Sequence, residues 1–275
     1  YDVTASRQTA SRACTSIVAQ AEDGSIVAGR NLDYGIKQAM EKIAVVIDWQ
    51  RAGATVFTSV SYVGTVGFNT VQRTGAWSLT HDERDQGFIG DNWFDMFIRR
   101  RVLTFSRIRQ TAEQAATFAA AAAAMKSAPL DAPSYFVLGG LAPGEGVLLT
   151  RGRDASSVDA YALDAAQGRW FLVETNYDHW QPPGTGDDRR HPAERALQLV
   201  TAAQLSADTL LDAVLSDQTC NATAGERNVL NSHTVYTAVT LPKQLGLKVV
   251  LRTSPRKQCG PALAEGEPVA RVERA

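Results

Sequence analysis

Cys14-Thr15-Ser16-Ile17-Val18-Ala19-Gln20 and the stretch that answers it, Ser25-Ile26-Val27-Ala28-Gly29-Arg30, decide the fold. Both are short runs of apolar, partly β-branched residues, and Glu22-Asp23-Gly24 between them supplies a turn, so the pair reads as a β-hairpin. A hairpin returns the end of its second strand to the start of its first. Arg30 and Asp33, in Gly29-Arg30-Asn31-Leu32-Asp33-Tyr34-Gly35, are therefore expected beside Cys14. An arginine placed there can polarise a carbonyl or lower a thiol pKa, and an aspartate can orient an ammonium or accept a proton. The competing reading is a buried cysteine beside a surface Arg–Asp pair.

Outward from the hairpin, strand patterns recur at 43–49, 55–63 and 76–80. A helical block follows, in which Trp93, Phe94, Phe97 and Ile98 share one face and 111–126 is rich in strong helix formers. The shared aromatic face reads first as core-facing, and alternatively as the wall of an acyl-chain groove or a membrane contact. Strands resume at 134–138, 146–150, 158–163 and 169–174; helices near 192–203 and 207–215 precede strands at 234–240 and 248–252. This order predicts an α+β fold with packed antiparallel sheets and helices outside. No internal repeat is present, and one catalytic domain over 14–260 is expected. Residues 1–13 are small and polar, like a linker or propeptide tail, and 261–275 read as a C-terminal tail.

Composition narrows the function classes. The chain has 275 residues, 44% of them hydrophobic, enough for a sizeable core. Its formal net charge of -1 gives no footprint for nucleic acid. Basic side chains cluster at Arg99-Arg100-Arg101 and Arg189-Arg190; the three-residue run reads as a solvated helix end rather than a binding patch, and no apolar stretch is long enough to span a bilayer. Tyr rather than Met at position 1 is expected of a processed or truncated product. Of the cysteines Cys14, Cys220 and Cys259, one is left over if the other two pair. A Cys220–Cys259 bridge beside the glycosylation sequon Asn221-Ala222-Thr223 would suit a secreted or lysosomal protein.

Two further polar clusters interrupt the strands. In Glu174-Thr175-Asn176-Tyr177-Asp178-His179-Trp180, Asn176 closes an apolar strand, where its side chain can give two N–H groups to an oxyanion. Thr80-His81-Asp82-Glu83-Arg84-Asp85 reads first as a solvated loop, and alternatively as holding a carboxylate buried against an arginine. No Gly-x-Ser-x-Gly elbow or phosphate-cradling loop occurs. His81, His179, His191 and His233 lack metal-ligand spacing, so neither a metal nor a cofactor is expected. A papain-like dyad between one of them and Cys14 stays open at this point.

Cys14 to Gln20 with Gly29 to Tyr34 closely resembles the catalytic subunit of the acid ceramidase and N-acylethanolamine-hydrolysing acid amidase family. The resemblance continues through Asp82-Glu83-Arg84-Asp85, Tyr135-Phe136-Val137-Leu138-Gly139-Gly140, Glu145-Gly146-Val147, Glu174 to Trp180, Asp187-Asp188-Arg189-Arg190 and Thr234-Val235-Tyr236-Thr237. It implies the αββα four-layer sandwich of N-terminal-nucleophile hydrolases and autocatalytic cleavage before Cys14. It also implies a nucleophilic Cys14 flanked by Arg30 and Asp33, with Asn176 in the oxyanion hole and Glu83 and Arg189 supporting the site and its processing. The substrate implied is a fatty acyl amide, by its motifs an acylethanolamine before a ceramide, with Trp93, Phe94, Phe97 and Trp180 as candidate substrate contacts. A smaller N-terminal subunit from the same precursor is the implied partner, and membrane-surface contact is a further expectation. The cysteine that bridges to that subunit in the family has no counterpart near Ala196-Leu197. The alternatives are an uncleaved homologue that binds lipid or a partner, and a related acylase of the penicillin or bile-salt type.

Overall fold

The structure, a computed structural model, describes residues 14–184, 186–243, 247–253 and 271–272. The expected propeptide tail 1–13, Cys259 and all of the expected tail 261–275 except Arg271–Val272 lie outside the described residues.

The opening hairpin forms as its sequence dictates. β1 (Thr15–Gln20) pairs antiparallel with β2 (Ile26–Asp33), Thr15 opposite Asn31 and Ser16 opposite Arg30. In the turn, the Asp23 carboxylate accepts the Ser25 N–H at 2.8 Å and Gly24 takes φ 82°, a conformation that favours glycine. A Cβ at Gly24 would also lie 2.7 Å from the ring of Pro143. β2 runs three residues further than the apolar pattern suggests, carrying Asn31 and Asp33 into the sheet.

Two sheets build around this hairpin. The first has the order β10 (Phe171–Glu174), β1, β2, β11 (Thr234–Thr240), β12 (Leu247–Leu251) and β13 (Arg271–Val272). The second runs β3 (Ala44–Arg51), β4 (Ala54–Tyr62), β5 (Thr70–Arg73), β6 (Trp77–Glu83), β7 (Ser134–Gly139), β8 (Gly146–Arg151) and β9 (Val158–Ala162). All the pairings are antiparallel. Strand periodicity sorts the side chains into layers. Ile17, Ala19, Val27 and Val173 meet α5 (Arg190–Gln204) and the π-helical turn Leu210–Val214 on the outer face of the first sheet. Val18, Ala28, Leu172, Val137 and Leu148 fill the space between the sheets. Trp77, Leu79, Phe136 and Leu138 meet α3 (Thr104–Gln114) and α4 (Phe118–Ser127) on the far side. The result is the expected four-layer αββα sandwich. Gly29 lets the π-helical turn approach β2, since a Cβ there would sit 2.8 Å from Leu215.

Local readings were overturned at identifiable places. The helix expected over 111–126 is two helices: α3 ends at extended Ala115, and Thr117 starts α4 by accepting the Ala120 N–H. β5 and the short helix α1 (Lys37–Ile43) carried no periodic signal strong enough to mark them. The aromatic face of α2 (Ile89–Phe97) does not face the core: Trp93, Phe97 and the following Ile98 are 57%, 60% and 67% exposed. The arginine run behind it is only partly solvated. Arg99 and Arg101 bond buried Asp95 at 3.0 and 3.1 Å, and Arg101 also reaches Asp154.

Candidate active site

Cys14 sits just ahead of β1 and is buried, 5% exposed. Its backbone N–H donates to Asn176 Oδ1 at 2.7 Å, and its carbonyl oxygen accepts from Arg189. Asp33 sends a backbone hydrogen bond to the thiol. Burial pushes the thiol up to about 12; Arg30 opposes that, while Asp82 and Asp33 add to it. At neutral or acid pH the Cys14 thiol of this uncleaved chain therefore keeps its proton.

Arg30 crosses from the first sheet to the second. Its Nη2 donates to Asp82 Oδ1 at 2.8 Å, and its Nη1 to the Asn69 and His81 carbonyls at 3.0 and 2.8 Å. Neither side chain of the Arg30–Asp82 pair is accessible to solvent. The solvated loop expected at Thr80 to Asp85 is thus corrected: β6 runs on to Glu83, because Asp82 meets a guanidinium across the sandwich. Alternation along β6 sends His81 to the opposite face. His81 there bonds Ser134 at 3.1 Å and packs against Phe105 and Phe136. Burial drives its imidazole down to about 3, so it is neutral. Glu83, the expected supporting acid, contributes its carbonyl oxygen to the site, which accepts from Asn176 Nδ2 at 2.7 Å.

Asn176 follows β10 in the left-handed region, φ 68°. Its Oδ1 is taken by the Cys14 and Arg189 N–H groups and one hydrogen of Nδ2 by Glu83. One N–H, rather than the two expected from sequence, is left for an incoming oxyanion. Arg189, fully buried, precedes α5 and binds the carbonyls of Cys14 and Thr175, with Asp187 3.3 Å away. Arg30, Asp33, Asn176 and Arg189 thus converge on Cys14.

Sequence reasoning held a carboxylate buried against an arginine, the place Asp82 takes, only as the lesser reading, and missed Glu174 and Asn231, whose Nδ2 donates to Asp33 Oδ2 at 2.6 Å. Asn231 comes from the loop before β11, 198 residues away, and no local pattern marks it. Burial lifts the Asp33 carboxyl from 3.8 to about 6, against the pull of Arg189 and Asn231. A raised carboxyl pKa gives stability that is complete below about pH 4 and lost as pH rises through about 6. Unfolding measurements at pH 4.5 and 7.5 are expected to show Asp33→Asn gaining on the parent chain at the higher pH.

Of the substrate-contact candidates, Trp93, Phe94 and Phe97 lie on the exposed face of α2, and Trp180 is exposed with its ring edge against His179. Asn221 is exposed and Cys220 is disulfide-bonded. Among the described residues, no group of three or more His, Cys, Asp or Glu is arranged to hold a metal ion, and no helix is long and apolar enough to cross a membrane.

No family model matches the chain. Over 82% of its length it is 40% identical to the N-acylethanolamine-hydrolyzing acid amidase of Oryctolagus cuniculus, covering 60% of that protein. Over 82% of its length it is 36% identical to the acid ceramidase of Homo sapiens, covering 58% of that one. The chain thus spans about 60% of the length of the curated relatives it matches. Its structure superposes on the Caenorhabditis elegans N-acylethanolamine-hydrolyzing acid amidase ortholog with a TM-score of 0.74 and 31% identity, over 84% of this chain and 94% of that one. Identity at that level, sustained along nearly the whole of the nematode chain, makes this protein a member of the N-acylethanolamine-hydrolysing acid amidase and acid ceramidase family.

Proposed function

We propose that residues 14–260 form the catalytic domain of an acid amidase that hydrolyses fatty acyl amides through an acyl-thioester on Cys14, after cleavage of the Ala13–Cys14 bond. One observation carries this reading: the Cys14 nitrogen is already held by Asn176, beside a thiol flanked by Arg30, Asp82 and Asp33. In the uncut chain that nitrogen belongs to a peptide and cannot act as a base. Cutting turns it into an α-amine, whose ordinary pKa is near 8, next to the thiol it must deprotonate. The thiol proton passes to this amine and sulfur attacks the amide carbon. The oxyanion takes the free N–H of Asn176. The leaving amine departs with the proton, and a water deprotonated by the α-amine then releases the fatty acid and restores the thiol. Glu83 and Arg189 hold Asn176 and the Cys14 carbonyl in place for both cleavage and turnover.

Acylethanolamines are expected ahead of ceramides, in line with the motifs and with the higher identity to the amidase. Turnover of one of each, side by side at acid pH, tests this; faster ceramide hydrolysis would reverse the preference. A smaller N-terminal subunit is the proposed partner. Exposed Leu199 on α5, beside a groove lined by Ala196, Val200 and Ala213, is suited to receive it. The route proposed is lysosomal or secreted, with glycosylation at Asn221.

The α2 face, Trp93, Phe94, Phe97 and Ile98 followed by exposed Arg99 and Arg100, has the make-up of a membrane-surface contact, with aromatic rings for the interface and cations for lipid phosphates. Trp93→Ala with Phe97→Ala is expected to lower binding to anionic vesicles at least fivefold in co-sedimentation, with hydrolysis of a short-chain soluble amide kept within twofold.

A further inference from the structure

Glu174 ends β10 opposite Ser16 of β1, and Ser16 lies opposite Arg30 of β2, so the three stand in one cross-strand row. Leu172, two residues earlier on β10, packs between the sheets, which puts the row on that inner face. Asp82 enters the same space from the second sheet through its bond to Arg30. Glu174 is only 1% exposed. Its Oε1 accepts the Asn176 N–H at 2.5 Å, while among the described residues its Oε2 has no hydrogen-bond partner.

The groups that face Glu174 are Asp82 from β6, Tyr135 from β7, and Arg189 and Arg190 at the start of α5. Both guanidiniums are engaged elsewhere, Arg189 with the Cys14 and Thr175 carbonyls and Arg190 with those of Gln181 and Tyr177. Burial, and then the carboxylate of Asp82, push the Glu174 carboxyl well above its ordinary range, against the pull of the Asn176 N–H and the two arginines. A proton on Oε2 leaves Oε1 free to accept. Its loss would set two buried anions side by side.

Asn176 depends on that bond. Its left-handed backbone is one asparagine tolerates but which its surroundings must hold. With it held, the side-chain amide spans the Cys14 nitrogen and the Glu83 carbonyl.

We propose that Glu174 is a positioning residue for the reaction at Cys14: by accepting the Asn176 N–H on Oε1 it locks the turn at Asn176 and so aims the Asn176 amide at the Cys14 nitrogen. The inference rests on the amide-hydrolase reading for its kinetic consequences, but not for its structural one. The parent chain, Glu174→Gln and Glu174→Leu test it, after their unfolding transitions have been compared at pH 4.5. Gln keeps the acceptor without an ionisable group; Leu removes both. Glu174→Gln is expected to keep kcat within about threefold and to carry the alkaline limb of its pH profile up by one pH unit or more. Glu174→Leu is expected to lose more than tenfold in kcat with KM within twofold.

Labelling of Cys14 by iodoacetamide in the uncleaved chain, read by intact mass, needs no turnover. It is expected to be at least tenfold faster in Glu174→Leu and within threefold of the parent in Glu174→Gln. Equal labelling in all three chains would overturn the proposal, as would an unmoved alkaline limb in Glu174→Gln. If the parent hydrolyses no acyl amide, the proposed function falls, and labelling alone decides the role of Glu174. If Glu174→Leu fails to fold, the alkaline limb of Glu174→Gln decides it.

Discussion

Cys14→Ala is expected to abolish both cleavage before residue 14 and hydrolysis of acyl amides, by about 10⁴-fold or more, with the fold kept. Removing a nucleophile ends the covalent route and leaves only what binding and an oxyanion donor can do. The substitution deletes one sulfur from a buried position, while the backbone contacts of Cys14 to Asn176 and Arg189 stay in place. The stability change is therefore expected to stay within about 1–2 kcal/mol. Intact mass and N-terminal sequencing after acid incubation read the cleavage, and release of fatty acid reads the turnover. A Cys14→Ala chain that still cleaved at the same bond would remove the thiol from the mechanism. The histidines give the opposing control. Separate alanine substitutions at His81, His179, His191 and His233 are expected to keep turnover within about tenfold, whereas collapse at a single one would install a cysteine–histidine dyad instead.

The hairpin was legible because its signals are local: an alternation of period two, a turn with Asp and Gly, and polar residues at the strand end. Those signals place Arg30 and Asp33 beside Cys14 without any knowledge of the second sheet. Asp82 needed that knowledge. It lies 52 residues from its partner Arg30, and its run of charged neighbours has the composition of a loop. Only the facing sheet makes it part of a strand. The family resemblance singled out Glu83, one residue along, whose carbonyl oxygen accepts from Asn176 Nδ2. The α2 stripe failed for a related reason. Periodicity states that Trp93, Phe94 and Phe97 share a face but not what covers it. Asn176 was legible as to place but not as to capacity, since its amide already serves Cys14 and Glu83 in the folded chain.

Arg30→Met is expected to cost about 3–5 kcal/mol of stability, the range for removing one partner of a buried ion pair. The guanidinium is fully buried, and its loss leaves Asp82 without its counter-charge and the Asn69 and His81 carbonyls without their donor. Against a total stability of about 5–15 kcal/mol, a loss of that size is measurable in a denaturant titration and brings the chain towards unfolding at modest temperature. Arg30→Met with Asp82→Leu is expected to regain most of the loss, because both charges leave together. Turnover is not expected to return with it. Arg30 is the charged neighbour that draws the Cys14 thiol down against burial, so the double variant holds a folded site with a thiol that gives up its proton less readily still. A single variant that loses less than about 1 kcal/mol would mean that water reaches the pair. A double variant that regained turnover would mean that Arg30 serves packing alone. Recovery of stability without recovery of turnover is what separates the structural share of this ion pair from its share in the chemistry.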